Sequence, residues 1–88
     1  MMDIDEAIRE LEKTKNIKFS RLMKITESFF DQPRNRGSSH YPFKVPWQGE
    51  PRINLQKGKD GNAKPYQVKQ VRLALLKLKQ IQQGENHD

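Results

Sequence analysis

The spacing of the apolar residues changes twice along the 88-residue chain, and this pattern limits the fold more than any other feature. Apolar side chains recur at helical spacing in residues 4–11 and again in residues 19–30. Between residues 40 and 56 they alternate with polar side chains instead, as half-buried strands do. Helical spacing returns after Pro65. We therefore expect one α+β domain, residues 1–88, with helices on one face of a small antiparallel sheet.

Capping residues predict where the helices begin and end. Asp3 followed by Glu6 is typical of a helix N-cap with its capping box. A residue before proline avoids the helical region, so the second helix should end before Pro33. Pro65 is well placed as a first helical residue. The predicted helices run from Asp3 to about Thr14, from about Lys18 to Gln32, and from Pro65 to a stop at Gly84, with residues 84–88 as a frayed tail.

The alternating middle of the chain predicts two strands, residues 40–45 and 52–56. Pro42 lacks a backbone donor, so its strand should lie at an edge or contain a bulge. A third, polar strand is expected over residues 31–36. The apolar phases of these elements predict a core of Leu22, Phe29, Phe43, Val45, Ile53, Leu55, Val71 and Leu75.

Composition excludes several classes of protein. The chain has no cysteine, so neither disulfides nor thiolate metal sites can form. No apolar run is long enough to span a membrane and the N-terminus is acidic, so a cytoplasmic protein is expected. The chain has a net charge of +6, and the excess of positive charge lies in residues 31–83, which contain eleven Lys and Arg but only three Asp and Glu. This asymmetry favours a polyanionic partner, although basic residues also simply solubilise small domains.

His40 is the side chain best suited to catalysis. By alternation it lies on the sheet face opposite the apolar one, and no second histidine or carboxylate pair stands at ligand spacing, so no metal is expected. Imidazole as a side-chain type titrates near neutral pH and can accept a proton from a ribose 2′-hydroxyl. Arg36, Lys44 or Lys64 could then stabilise charge on the phosphorus centre. The alternative is an ordinary surface histidine on a strand.

Basic residues also surround the predicted start of the last helix, where backbone N–H groups favour phosphate. The alternative there is a solvated helix face. The aromatic residues that include candidates for base stacking are Tyr41, Phe43, Trp47 and Tyr66. Tyr41 and Phe43 are better explained as core, whereas Trp47, on a loop rich in proline and glycine, could be exposed. The basic residues at this helix start are Lys57, Lys59, Lys64, Lys69 and Arg72.

Gly37-Ser38-Ser39-His40-Tyr41-Pro42-Phe43 resembles the Gly-Ser-X-His motif that opens the second strand of HicA-type toxins. Residues 52–56 and 63–71 resemble the third strand and last helix of that family. The resemblance covers roughly residues 19–78, in the same order.

This resemblance implies a fold like the double-stranded-RNA-binding domain, αβββα, with residues 1–16 as an added N-terminal helix. It implies messenger-RNA cleavage, with His40 at the catalytic position and Gly37, Ser38 and Ser39 as the supporting motif. The implied partner is a HicB-like antitoxin that covers the site and carries the DNA-binding domain. Many members have a second motif histidine after the third strand. Its absence here leaves the acid for the departing 5′-oxygen unassigned.

The sequence thus predicts a metal- and cofactor-independent RNA endonuclease, the toxin of a toxin–antitoxin pair, whose added first helix lies away from the basic face. One alternative is a non-catalytic RNA-binding module that uses the same surface. Another is an interaction or regulatory protein whose basic face binds an acidic partner.

Overall fold

A computed structural model describes residues 2–14, 16–31 and 40–85 of the chain. The described part is a small α+β structure with three helices and a two-stranded antiparallel sheet. Within these ranges, no helix has both the length and the apolar character needed to cross a membrane. Of the predicted strand over residues 31–36, only Asp31 is described, and it lies in no strand. The elements are α1 (Ile4–Lys13), α2 (Phe19–Phe29), β1 (His40–Phe43), β2 (Ile53–Gln56) and α3 (Pro65–Glu85).

Most helix ends agree with the capping pattern. Asp3 is the N-cap of α1, although its side chain makes no capping hydrogen bond, and Pro65 is the first residue of α3. Two predicted ends are wrong. α2 ends at Phe29 because Phe30 takes an extended conformation (φ −131°, ψ 149°), which buries its ring. α3 continues through Gly84 to Glu85, since Gly84 does not adopt the positive φ that terminates a helix at glycine.

The hairpin has the predicted faces but shorter strands than expected. His40 pairs with Gln56 and Phe43 with Ile53. Phe43 is buried while His40 and Pro42 are exposed, which confirms the alternation. Val45 and Arg52 lie beyond the strands, in a connection where Gly49 has φ +79° and Trp47 Nε1 donates to the Pro51 carbonyl (2.8 Å). The prediction that both residues belong to strands is therefore wrong.

α3 covers the edge of β2 that faces away from β1. The Asn54 N–H donates to Gln70 Oε1 (3.4 Å), and Gln67 Nε2 donates to the Gln56 carbonyl (3.0 Å). Both groups therefore point away from β1, which makes their pairs with Pro42 and His40 the non-hydrogen-bonded ones. Pro42 consequently has its missing donor on the outer edge of β1, where β2 does not need it.

The core extends beyond the predicted one. Six of the eight predicted residues are buried, whereas Phe29 and Val45 are only partly so. Phe29 is partly exposed because the chain leaves the helix after it and Phe30 takes the interior place. α1 contributes Ala7, Ile8 and Leu11 to the core and packs against α3. The expectation that this helix lies away from the basic residues of α3 is wrong, because its buried face needs α3 as its partner.

One ion pair joins α1 to α2 at the surface. Arg21 donates to both carboxylate oxygens of Glu10, each at 2.7 Å. The hydrogen bond from Arg21 holds the pKa of Glu10 below its ordinary value of 4.5.

We expect Glu10→Gln to lower the free energy of unfolding at pH 7 by less than about 1 kcal/mol, since the pair is partly exposed. A carboxyl whose pKa is depressed in the folded state stabilises above its unfolded pKa and loses that effect as pH falls. The difference between wild type and variant should therefore shrink below about pH 4.5 in urea titrations. A difference that stays constant from pH 7 to pH 3 would contradict this role.

Candidate nucleic-acid interface

The solvent-facing side of the hairpin presents His40 beside the side chain of Gln56. The two residues are register partners at the end of the sheet. Because their pair is of the non-hydrogen-bonded type, the Cα atoms are about 4.5 Å apart and the side chains lie next to each other. Pro42 and Asn54 follow on the same exposed face. An imidazole and two carboxamides thus share one open surface.

The loop from β2 to α3 begins at this end of the hairpin and carries Lys57 and Lys59, both exposed. Its path is fixed from within, because Gly61 has φ +78° and Asp60 Oδ1 accepts the Asn62 N–H (3.0 Å). Gly58 is closely packed there: a Cβ at this position would meet the Asn62 carbonyl oxygen at 3.1 Å. These contacts therefore give the loop a defined backbone conformation.

The same loop is joined to the start of α2. The Phe19 N–H donates to the Gly61 carbonyl (3.0 Å), and the Ala63 N–H donates to the Ile17 carbonyl (2.8 Å). Lys18 forms an isolated antiparallel bridge with Asn62 and is exposed. Lys18 thus adjoins the lysine-bearing loop. Its position beside the loop has no signal in the sequence, because only the fold brings these distant segments together. We define the lysine loop as residues 57–64 together with Lys18.

The other predicted phosphate-binding residues lie in two separate places. Lys44 lines a groove with Arg52 beyond the far end of the hairpin, four residues or roughly 13 Å along the chain from His40. Lys69 and Arg72 line a cleft of about 400 Å³ between α3 and the end of α1, where Glu12 also lies. The structure therefore places Lys57 directly after Gln56, the register partner of His40, with Lys59 and Lys64 further along the same loop. Lys44 lies at the other end of the hairpin, and Lys69 and Arg72 line the cleft against α1. Arg36, Gly37, Ser38 and Ser39 lie outside the described residues.

The exposed aromatic side chain near this surface is Tyr66, not Trp47. Trp47 is only partly exposed. The Phe30 ring lies edge-on to it with the ring centroids 6.0 Å apart, and Lys77 Nζ lies 5.5 Å from the centroid of the Trp47 ring. Tyr66, in the first turn of α3, is 52% exposed. The suggestion that Trp47 offers a free stacking surface is therefore wrong, since Phe30 packs against that ring and Lys77 of α3 lies over it.

Comparison with known proteins identifies no relative: no protein-family model, no curated protein and no solved structure matches the chain. In the part of the chain that is described, no three His, Cys, Asp or Glu side chains are grouped so as to hold a metal ion. The interface residues themselves offer an imidazole for proton transfer, ammonium groups for anions and a phenol for stacking or hydrogen bonding.

Proposed function

We propose that this chain is an RNA endonuclease of the HicA type, with His40 as the general base. The observation that carries the proposal is the exposure of His40 at the end of the hairpin from which the lysine loop departs. A base beside an anion-binding loop is the minimal arrangement for attack within a phosphodiester. Backbone hydrogen bonds to Ile17 and to Phe19, at the start of α2, hold this loop in place, so its charges are presented at a fixed position.

In the proposed reaction, His40 accepts the proton of a ribose 2′-hydroxyl. The 2′-oxygen forms a bond to the adjacent phosphorus, and the bond from phosphorus to the 5′-oxygen breaks. Lys57, Lys59 and Lys64 stabilise the negative charge on the non-bridging oxygens. The departing 5′-oxygen takes its proton from water or from a lysine of the loop. DNA lacks the attacking hydroxyl and is not a substrate.

The proposal includes a domain similar to the double-stranded-RNA-binding domain. The described order α2–β1–β2–α3 is compatible with αβββα if a third strand precedes β1. That strand would pair with the outer edge of β1, where Pro42 offers no donor and one ladder bond would be missing. α1 would be an N-terminal addition that shares the core.

The proposed partner is a HicB-like antitoxin of the cytoplasm that presents carboxylates to the lysine loop and covers His40. The net charge of +6 favours such a partner, and complementary charges mainly raise the association rate. The chain would contact DNA only through this antitoxin.

Cleavage of an end-labelled RNA in the presence of EDTA tests the proposal, with DNA of the same sequence as the control. We expect RNA to be cut and DNA to remain intact. Salt-sensitive RNA binding without cleavage would instead support a non-catalytic RNA-binding module. This module is the second candidate because no residue is assigned as the acid for the departing 5′-oxygen. Neither binding nor cleavage would point to a protein-interaction role.

Replacing Lys57 and Lys59 together with glutamine should weaken RNA binding at every sequence tested. Each lost phosphate contact reduces the slope of log K against log salt by about 0.7–0.9. The double variant should therefore have a shallower slope, by up to about 1.4–1.8, in binding titrations from low to high salt. Lys13→Gln, at an exposed lysine in the last turn of α1, is the control and should leave the slope unchanged. Equal slopes for all three proteins would remove the loop from the interface.

A further inference from the structure

Gln67 is a polar side chain in the core whose placement no packing need explains. It is 0% exposed and lies among residues such as Val71 and Leu75 on the inner face of α3. Its Oε1 has no hydrogen-bond partner, which is unfavourable for a buried acceptor. An apolar side chain of similar length would avoid that cost, so the amide's role lies in what its nitrogen binds.

The Nε2 group of Gln67 holds two groups at the His40 end of the sheet. It donates to the Gln56 carbonyl at 3.0 Å and lies 3.4 Å from the Tyr66 hydroxyl oxygen. Gln56 is the register partner of His40, and its carbonyl points toward α3. Gln67 therefore fixes the β2 backbone from the side opposite His40, at the one position in the strand whose side chain lies beside the imidazole.

Gln70 shows what a merely structural amide does at the same edge. It lies one helical turn further along α3 and binds the Asn54 N–H, whose residue is paired with Pro42. Gln70 is partly exposed and its bond is longer. Both glutamines bind the backbone of β2, Gln67 as a donor to the residue 56 carbonyl and Gln70 as an acceptor from the residue 54 N–H. Residue 56 is paired with His40, whereas residue 54 is paired with Pro42.

We propose that Gln67 is a positioning residue for His40, an inference that rests on the function proposed above. It acts through Gln56, by fixing the strand against which the imidazole lies, and it also orients the Tyr66 hydroxyl at the edge of the same surface. Displacements of about 1 Å at a reacting group can reduce rates about a hundredfold. Loss of the Gln67 amide should therefore reduce turnover more than it reduces RNA binding.

The test compares Gln67→Met with Gln70→Met in steady-state RNA cleavage. We expect Gln67→Met to lower kcat by about tenfold to a hundredfold with KM changed by less than about twofold. Gln70→Met should keep both within about twofold. In a His40→Ala background, Gln67→Met should cause no further loss, because a residue that acts through His40 has nothing left to position. A further loss in that background, or equal effects of the two methionine variants, would overturn the proposal.

A second readout separates this proposal from the proposed function. The His40 ring proton resonances, followed by NMR from pH 5 to pH 8, should differ from wild type in Gln67→Met and coincide with it in Gln70→Met. This comparison needs no cleavage, so an inactive wild type would refute the endonuclease and leave the positioning role decided by the spectra. Unchanged His40 resonances in folded Gln67→Met would overturn the positioning role of Gln67.

If Gln67→Met does not fold, Gln67→Glu makes the same comparison through pH. A neutral carboxyl can donate to the Gln56 carbonyl, whereas a carboxylate cannot. The activity of Gln67→Glu relative to wild type should therefore fall as pH rises through the titration of the introduced carboxyl. A ratio that does not change with pH would contradict the positioning role.

Discussion

Replacing His40 with alanine is expected to lower kcat for RNA cleavage by about 10²- to 10⁴-fold, the usual contribution of a general base. The fold should be unaffected, because the imidazole is exposed and the β1 side chains that pack in or against the core are Tyr41 and Phe43. The free energy of unfolding should therefore change by less than about 0.5 kcal/mol. Initial rates and melting curves on the same preparations provide both measurements.

The control is His87→Ala, at the only other histidine of the chain, which should cleave at the wild-type rate. A comparable loss in both variants would indicate a general effect of removing imidazole. Wild-type turnover in folded His40→Ala would exclude His40 from the chemistry.

Replacing Leu11 with alanine is expected to lower the free energy of unfolding by about 2–5 kcal/mol, the usual range for a buried leucine. Leu11 is 3% exposed and packs in the core shared by α1 and α3. Domains of this kind have only about 5–15 kcal/mol of stability in total, so much of it should disappear. Urea unfolding at constant pH measures the change.

Leu73→Ala is the matched control, since Leu73 is 40% exposed on α3 and should cost less than about 1 kcal/mol. If the two leucine variants unfolded at the same urea concentration, α1 would be a peripheral addition rather than part of the core.

The features predicted correctly from sequence are those that local chemistry determines. Asp3 and Pro65 stand at the predicted helix starts, and the fixed φ of proline depends on no distant residue. The capping box predicted for Asp3 and Glu6 is not formed, since the Asp3 side chain makes no capping hydrogen bond. The faces of β1 and β2 follow from strict alternation, which puts Phe43 inside and His40 outside.

The features that sequence did not predict depend on contacts between distant segments. α1 has an apolar face, but only the structure shows that α3 covers it. Lys18 joins the lysine loop through backbone pairing with Asn62, a contact with no sequence signal. Gln67 is a polar residue that is usually exposed, yet it is buried and donates to the Gln56 carbonyl. A buried polar residue such as Gln67 departs from the apolar pattern of its helix, and departures of this kind are expected at functional sites.

The analysis of cleavage products tests the central claim most directly. Wild-type protein is incubated in EDTA with an end-labelled RNA and with the same RNA methylated at every 2′-oxygen. If His40 activates the 2′-hydroxyl, only the unmodified RNA is cut, and its fragments end in 2′,3′-cyclic phosphate and 5′-hydroxyl groups. Cleavage of the methylated RNA, or fragments with 3′-hydroxyl and 5′-phosphate ends, would contradict the proposed reaction.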